Sequence, residues 1–176
     1  MQEIVDADAK AGTQRTDFSH TLAAQAALEL AGSLRDEYAR QALVIPLDQS
    51  LKVKKAAMQK ALDAYGKAAE FGIAAVTTAA TYHIGDLYFD FSRALLDSQR
   101  PRELSAEELE QYDTLLEEQA YPFEEEAIKL HEVNFRRLKD GTYDEWVKAS
   151  IAQLGELLPV RYGKHERMVP LVESIQ

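Results

Sequence analysis

Between Thr16 and Pro159 the chain is broken at so few points that long helices are the only regular structure open to it. The breaks are Pro46 with Asp48, Gly72, Arg100-Pro101-Arg102 and Asp140-Gly141, and Pro159 ends the last stretch. Between them, apolar residues return at helical spacing. Phe18, Leu22, Ala26, Leu30 and Leu34 recur every four residues, the row that one face of an α-helix requires. Leu51, Met58 and Tyr65 lie seven apart, with Leu62 and Ala69 beside them. The whole chain of 176 residues holds 8 glycines and 5 prolines, a composition that suits an all-helical protein. The pattern predicts helices over about 17–43, 51–71, 75–98, 106–139 and 143–158. Together they form one helical domain over 16–159. Residues 1–15 are small and polar and are expected to fray, and 160–176 are expected to form an irregular tail containing Pro170.

The helix ends carry their own signals. Thr16 or Asp17 suits an N-cap. Ser105-Ala-Glu-Glu108 reads as a capping box, in which hydroxyl and carboxylate satisfy orphan backbone donors. Gly72 suits a C-cap, because glycine takes the left-handed conformation at no steric cost. Pro122 falls inside the fourth stretch and is expected to kink or break it. Lys52, Lys54, Lys55, Lys60 and Lys67 occupy the side of the second stretch opposite its apolar row.

Gly85 lies in the middle of the third stretch, in Ala80-Thr-Tyr-His-Ile-Gly-Asp-Leu-Tyr88. A glycine inside a helix costs about 1 kcal/mol against alanine, so a second helix is expected to cross there at close range. A shift of about 58 residues superimposes like residues, as stacked repeats would: Ala27 on Gly85, Leu30 on Tyr88, Arg35 on Arg93, Met58 on Leu116 and Tyr65 on Phe123. A partial third register places Tyr88 on Trp146 and Pro101 on Pro159. Each unit reads as a helical hairpin, with about two and a half units in the chain. Ala27 and Gly85 are expected to touch where successive hairpins meet.

Ala61-x-x-x-Tyr65-x-x-Ala68 and Ile84-Gly85-x-x-Tyr88 resemble the second and first helices of successive tetratricopeptide repeats, although the units here exceed the usual length of about 34 residues. The half from Leu115-Leu-Glu-Glu-Gln-Ala-Tyr-Pro-Phe123 through Tyr143-Asp-Glu-Trp-Val-Lys148 to Leu158-Pro-Val-Arg-Tyr162 is similar to the terminal part of large Gram-negative tetratricopeptide proteins. Some of those are periplasmic and linked to envelope or gliding machinery. The resemblance implies a short right-handed solenoid of antiparallel hairpins with extended helices. It also implies a scaffold that binds a protein or peptide partner rather than an enzyme, in the periplasm.

Charge and motif content narrow the chemistry. The net charge of −10 repels nucleic acid and anionic lipid, and fits solubility or a basic partner. There is no cysteine, which removes disulfides and thiol chemistry but is compatible with cytosol and periplasm alike. No run of roughly 18 apolar residues occurs, so no membrane insertion is expected. Met1-Gln-Glu-Ile-Val-Asp lacks the basic start and apolar stretch of a signal peptide. The four histidines, His20, His83, His131 and His165, form no Glu-x-x-His element, so neither a metal nor another cofactor is expected. His83 is expected to be hydrogen-bonded beside the Gly85 crossing, and His131 and His165 to lie on solvated faces. Nucleotide-binding glycine loops and nucleophile elbows are missing. Glu124-Glu125-Glu126 reads as a solvated helix surface.

A binding groove remains. Counting from Gly85, its side of the third stretch carries Tyr82, Asp86, Phe89, Asp90 and Arg93, with Leu28 and Arg35 as first-unit counterparts. Arg35 and Arg93 could clamp carboxylates, while Tyr82 and Phe89 read equally well as core. A solenoid of this length leaves an apolar end, a possible site of homo-oligomerisation. The competing architecture is a closed antiparallel four-helix bundle that holds a small apolar ligand or acts as an enzyme.

Overall fold

The computed structural model describes residues 1–163, which form seven α-helices: α1 (Gln2–Lys10), α2 (Asp17–Ala39), α3 (Leu47–Ala69), α4 (Ala74–Leu96), α5 (Ala106–Arg136), α6 (Glu145–Leu157) and the single turn α7 (Pro159–Tyr162). No strand occurs among the described residues. His165 and Pro170 lie outside them. The five expected helices are present within a few residues of the expected ends. Two differences stand at the termini. Residues 1–15, expected to fray, carry α1, and Pro159–Tyr162 adds a helical turn where an irregular tail was expected. Burial of Asp8 explains the first: Arg15 pairs with it at 3.1 Å and His20 at 3.3 Å, fastening α1 to α2.

The punctuation acts as its chemistry dictates. Thr16 caps α2 by accepting from the Ser19 amide. Ser105 and Glu108 form both halves of a capping box on α5. Gly72 and Gly141 take φ of +70° and +77°, a region that side chains disfavour. Pro122 does not break α5, which runs unbroken through it. It sits on the exposed side, where the carbonyl it leaves unbonded can face water.

Helices adjacent in sequence pack against each other from α1 to α6, α4 and α5 most extensively. Beyond these, α2 touches α4 and α4 touches α6. An extended contact of α5 with α2 is not among the packed pairs. The main apolar cluster joins Ala31 and Tyr38 of α2, Met58, Ala61 and Tyr65 of α3, Leu87, Phe91 and Leu95 of α4 and Ala120 of α5. A smaller one joins Ala24, Ala27, Ala68 and Val76.

Two expectations about packing fail. The large apolar row of α2 is not its core face: Phe18 is 79% and Leu22 41% exposed, while Ala23, Ala24, Ala26, Ala27 and Ala31 are buried. Small side chains let α2 approach its neighbours closely, and close approach wins over side-chain size. Nor do Ala27 and Gly85 meet. Ala27 belongs to the smaller cluster, and Gly85 faces His131 of α5. The start of α4 follows that of α2, and α5 that of α3, by nearly the 58-residue step. A further step from Ala74 falls on Glu132, inside α5, so α6 does not keep the register.

Candidate functional site

Arg35 joins α2 to α4 through an ion pair with Asp86. Asp86 is the deeper partner, its side chain 13% exposed against 35% for Arg35. Desolvation pushes the Asp86 carboxyl above the usual range, and the neighbouring guanidinium offsets this only in part. For Arg35, desolvation opposes the charge, but attraction to Asp86 and further anionic groups prevails and the guanidinium is held above its ordinary value. Both values rise, which disfavours the charged carboxylate but favours the charged guanidinium, because burial falls more heavily on the carboxylate. One turn along α4, Asp90 is raised by desolvation and by repulsion from Asp86, against Arg35 and Lys54.

Beside the pair lies a cluster of rings. His83 stacks on buried Tyr65 at 5.0 Å and approaches Trp146 of α6 at 4.7 Å. Tyr82 contacts Trp146 at 5.4 Å and His131 at 5.5 Å. Trp146 is placed by its own cap: Asp144 accepts from the Trp146 and Val147 amides at 3.1 and 2.9 Å, and Thr78 of α4 donates to the same carboxylate at 2.6 Å. Behind the rings, Asn134 of α5 donates to the Thr78 carbonyl at 3.0 Å and to Ser150 Oγ at 2.9 Å. These bonds lock α4, α5 and α6 together.

Neither histidine has the environment expected of it. His83 has a buried Nδ1 with no hydrogen-bond partner. His131, expected on a solvated face, is fully buried. Its Nδ1 meets Ser150 Oγ at 3.3 Å, and its Nε2 has no partner. Desolvation holds both imidazoles down to about 4, with repulsion from Arg35 adding to the effect on His83. Both are neutral near pH 7.

Of the groove residues read from the sequence, Arg35, Tyr82, Asp86 and Asp90 come together. Phe89 shares their stripe of α4 and is half-buried, and Arg93 is exposed. Leu28 packs against both apolar clusters. Because Asp86 already engages Arg35, that guanidinium is not available as a carboxylate clamp. Sequence reasoning did not place Tyr38, Lys54, Tyr65 or Trp146 here. Lys54, assigned to the solvated side of its helix, is 6% exposed. Its Nζ donates to the Gln41 carbonyl at 2.8 Å and lies 4.1 Å from the centre of the Tyr38 ring. Trp146, the one tryptophan of the chain, was the available signal, since a lone large ring usually finds a packing partner.

Among the described residues no three histidine or carboxylate side chains gather as metal ligands would. No helix there is long and apolar enough to cross a membrane. No protein-family model, curated protein or solved structure matches the chain.

Proposed function

We propose that the chain is a non-enzymatic binding module of the tetratricopeptide type. In this reading antiparallel hairpins stack as a short right-handed solenoid, and the face formed by α2, α4 and α6 receives a protein or peptide. The setting is a larger bacterial envelope assembly, as the sequence resemblance implies. The observation that carries the reading is the order of packing. Sequential helices pair, and among the described residues the only further extended contacts are α2 with α4 and α4 with α6. Stacked hairpins bring alternate helices side by side in this way. A closed four-helix bundle needs α5 against α2, and the packing order bears against it.

The side chains support the same face. Arg35 with Asp86 and Tyr82 with Trp146 tie alternate helices together, and a surface built on rigid helices keeps its geometry when a partner arrives. α1 packs on α2, the position that the second helix of a preceding hairpin would take. Beside it a groove of about 540 Å³ opens between α2 and α3, with Leu30, Leu34 and Ala64 in its wall. In the proposed stack this is the open end, where a second copy of the chain would add.

Selection from a random-peptide display library, with amide exchange to map the bound peptides, tests the face. Protection confined to α2, α4 and α6, weakened by Phe89→Ala, is expected. Peptides that protect the outer sides of α3 and α5 instead, or a library that yields no binders, would overturn the reading.

A further inference from the structure

We infer that the half-buried rings of Tyr82 and Trp146, beside Asp86, Asp90 and Glu156, form a subsite for a lysine or arginine side chain of the bound partner. The inference rests on the binding face proposed above and assigns its specificity.

Charge around Tyr82 carries the argument. Its hydroxyl lies in the field of three carboxylates, Asp86, Asp90 and Glu156, and of one cation, Arg35. Arg35 is taken up by Asp86. Asp90 and Glu156 are exposed, and neither forms an ion pair among the described residues. Lys54 reaches Asp90 electrostatically while donating to the Gln41 carbonyl. Three carboxylates, Asp86, Asp90 and Glu156, therefore stand against two cations, Arg35 and Lys54, and the surroundings of Tyr82 keep an excess of negative charge.

Ring chemistry points the same way. Tyr82 and Trp146 are half-buried and lie 5.4 Å apart, tilted by 41°, so neither residue is sealed from a partner. The negative face of a tryptophan or tyrosine ring attracts an ammonium or guanidinium. The protein already uses this contact: Lys54 lies over Tyr38 beside Asp90. A cation at Tyr82 and Trp146 would repeat that arrangement with the partner's side chain in place of Lys54. Carboxylates at the rim would draw it in and fix its direction. An acidic peptide would meet repulsion at the same place, which gives discrimination as well as affinity.

Trp146 is the one tryptophan in the sequence, so its emission reports the subsite directly. The probes are a peptide of repeated Ser-Lys-Leu-Gly units and the same peptide with glutamine for each lysine. The lysine peptide should shift Trp146 emission and bind at least about tenfold more tightly than the glutamine one. Asp90→Asn and Glu156→Gln should each weaken it by about fivefold. Glu107→Gln with Glu118→Gln, exposed on the outside of α5, should leave it unchanged. Equal binding of the two peptides overturns the cation subsite and leaves the binding face standing. Equal loss in the α5 control variant overturns it as diffuse charge attraction. Absence of any response to either peptide also overturns it, whereas the display selection on α2, α4 and α6 decides the face separately.

Discussion

His131 occupies the space where a side chain at Gly85 would begin: a Cβ built there lies 2.9 Å from His131 Nε2 and 3.0 Å from Cε1. The ring cannot swing away easily, because it is fully buried and held by Ser150 and Tyr82. Gly85→Ala should therefore destabilise by about 1–3 kcal/mol from overpacking, despite a gain of about 1 kcal/mol in helix propensity. In a His131→Ala background the same change should become neutral or favourable. Gly66 is the internal control. It too lies within a helix, and a Cβ there meets nothing within 4 Å, so Gly66→Ala should stabilise by about 0.5–1 kcal/mol. Urea denaturation reads all four variants, and a stabilising Gly85→Ala in the native background would mean that the close contact is absent.

Two neutral buried histidines make the fold acid-sensitive. Each is held near 4 in the folded state against about 6.5 when unfolded. Between those values the unfolded chain binds more protons, so stability is full above about 6.5 and is lost as pH falls toward 4. The loss is on the order of 3 kcal/mol for fully buried His131 and smaller for His83, which water partly screens. Asp86 and Asp90, with raised carboxyls, act in the opposite direction in the carboxylate range, so the interval from pH 7 to 5.5 isolates the histidines. His83→Phe keeps the ring stack, removes an unpartnered nitrogen, and should flatten the profile there while raising stability at pH 7. An unchanged slope in that variant would count against a buried neutral His83.

Removal of one member of the Arg35–Asp86 pair should cost more than removal of both. Arg35→Met leaves a carboxylate of 13% exposure without its partner, and about 2–4 kcal/mol should be lost at pH 7. Asp86→Asn should cost less, since Arg35 is nearer to water. The double variant Arg35→Met with Asp86→Leu should recover most of the loss, the usual result when a buried ion pair is replaced by apolar groups. A strictly additive double-mutant cycle would show that the two charges do not interact.

Asp144 serves two helices at once, capping α6 and accepting from Thr78 on α4. Asp144→Ala should lower stability by about 2 kcal/mol, more than a cap alone contributes. It should also change Trp146 emission, because the cap positions that ring. Asp144→Ser, which keeps a capping oxygen but shortens the reach toward Thr78, should fall between the two. Chemical denaturation followed by Trp146 fluorescence reads both effects in one experiment.

The local part of this structure was legible in the residues. Helix spacing, the Ser105 capping box and the left-handed glycine at 72 depend on neighbours within a few positions, where backbone geometry and hydrogen bonding decide the outcome. Tyr82, Asp86 and Asp90 share one side of α4 because its period places them there, whereas the pairing of Arg35 with Asp86 was set by the helix opposite.

What lay beyond reach depended on which helix stood opposite. Gly85 announced a close contact, but only the fold decided that its partner is His131 rather than Ala27. The period of α2 singled out a row of large apolar residues, yet its alanines are the buried face, because three neighbouring helices crowd it and small side chains admit them. His131 and Lys54 belong to the same group. A histidine or lysine in a polar-looking row reads as solvated until another helix covers it. By itself the sequence determined the five long helices and their approximate ends, which are governed by local energetics. The tertiary structure alone decided which faces are inside and which charges meet, because burial is a property of the neighbours a residue acquires and not of its own chemistry.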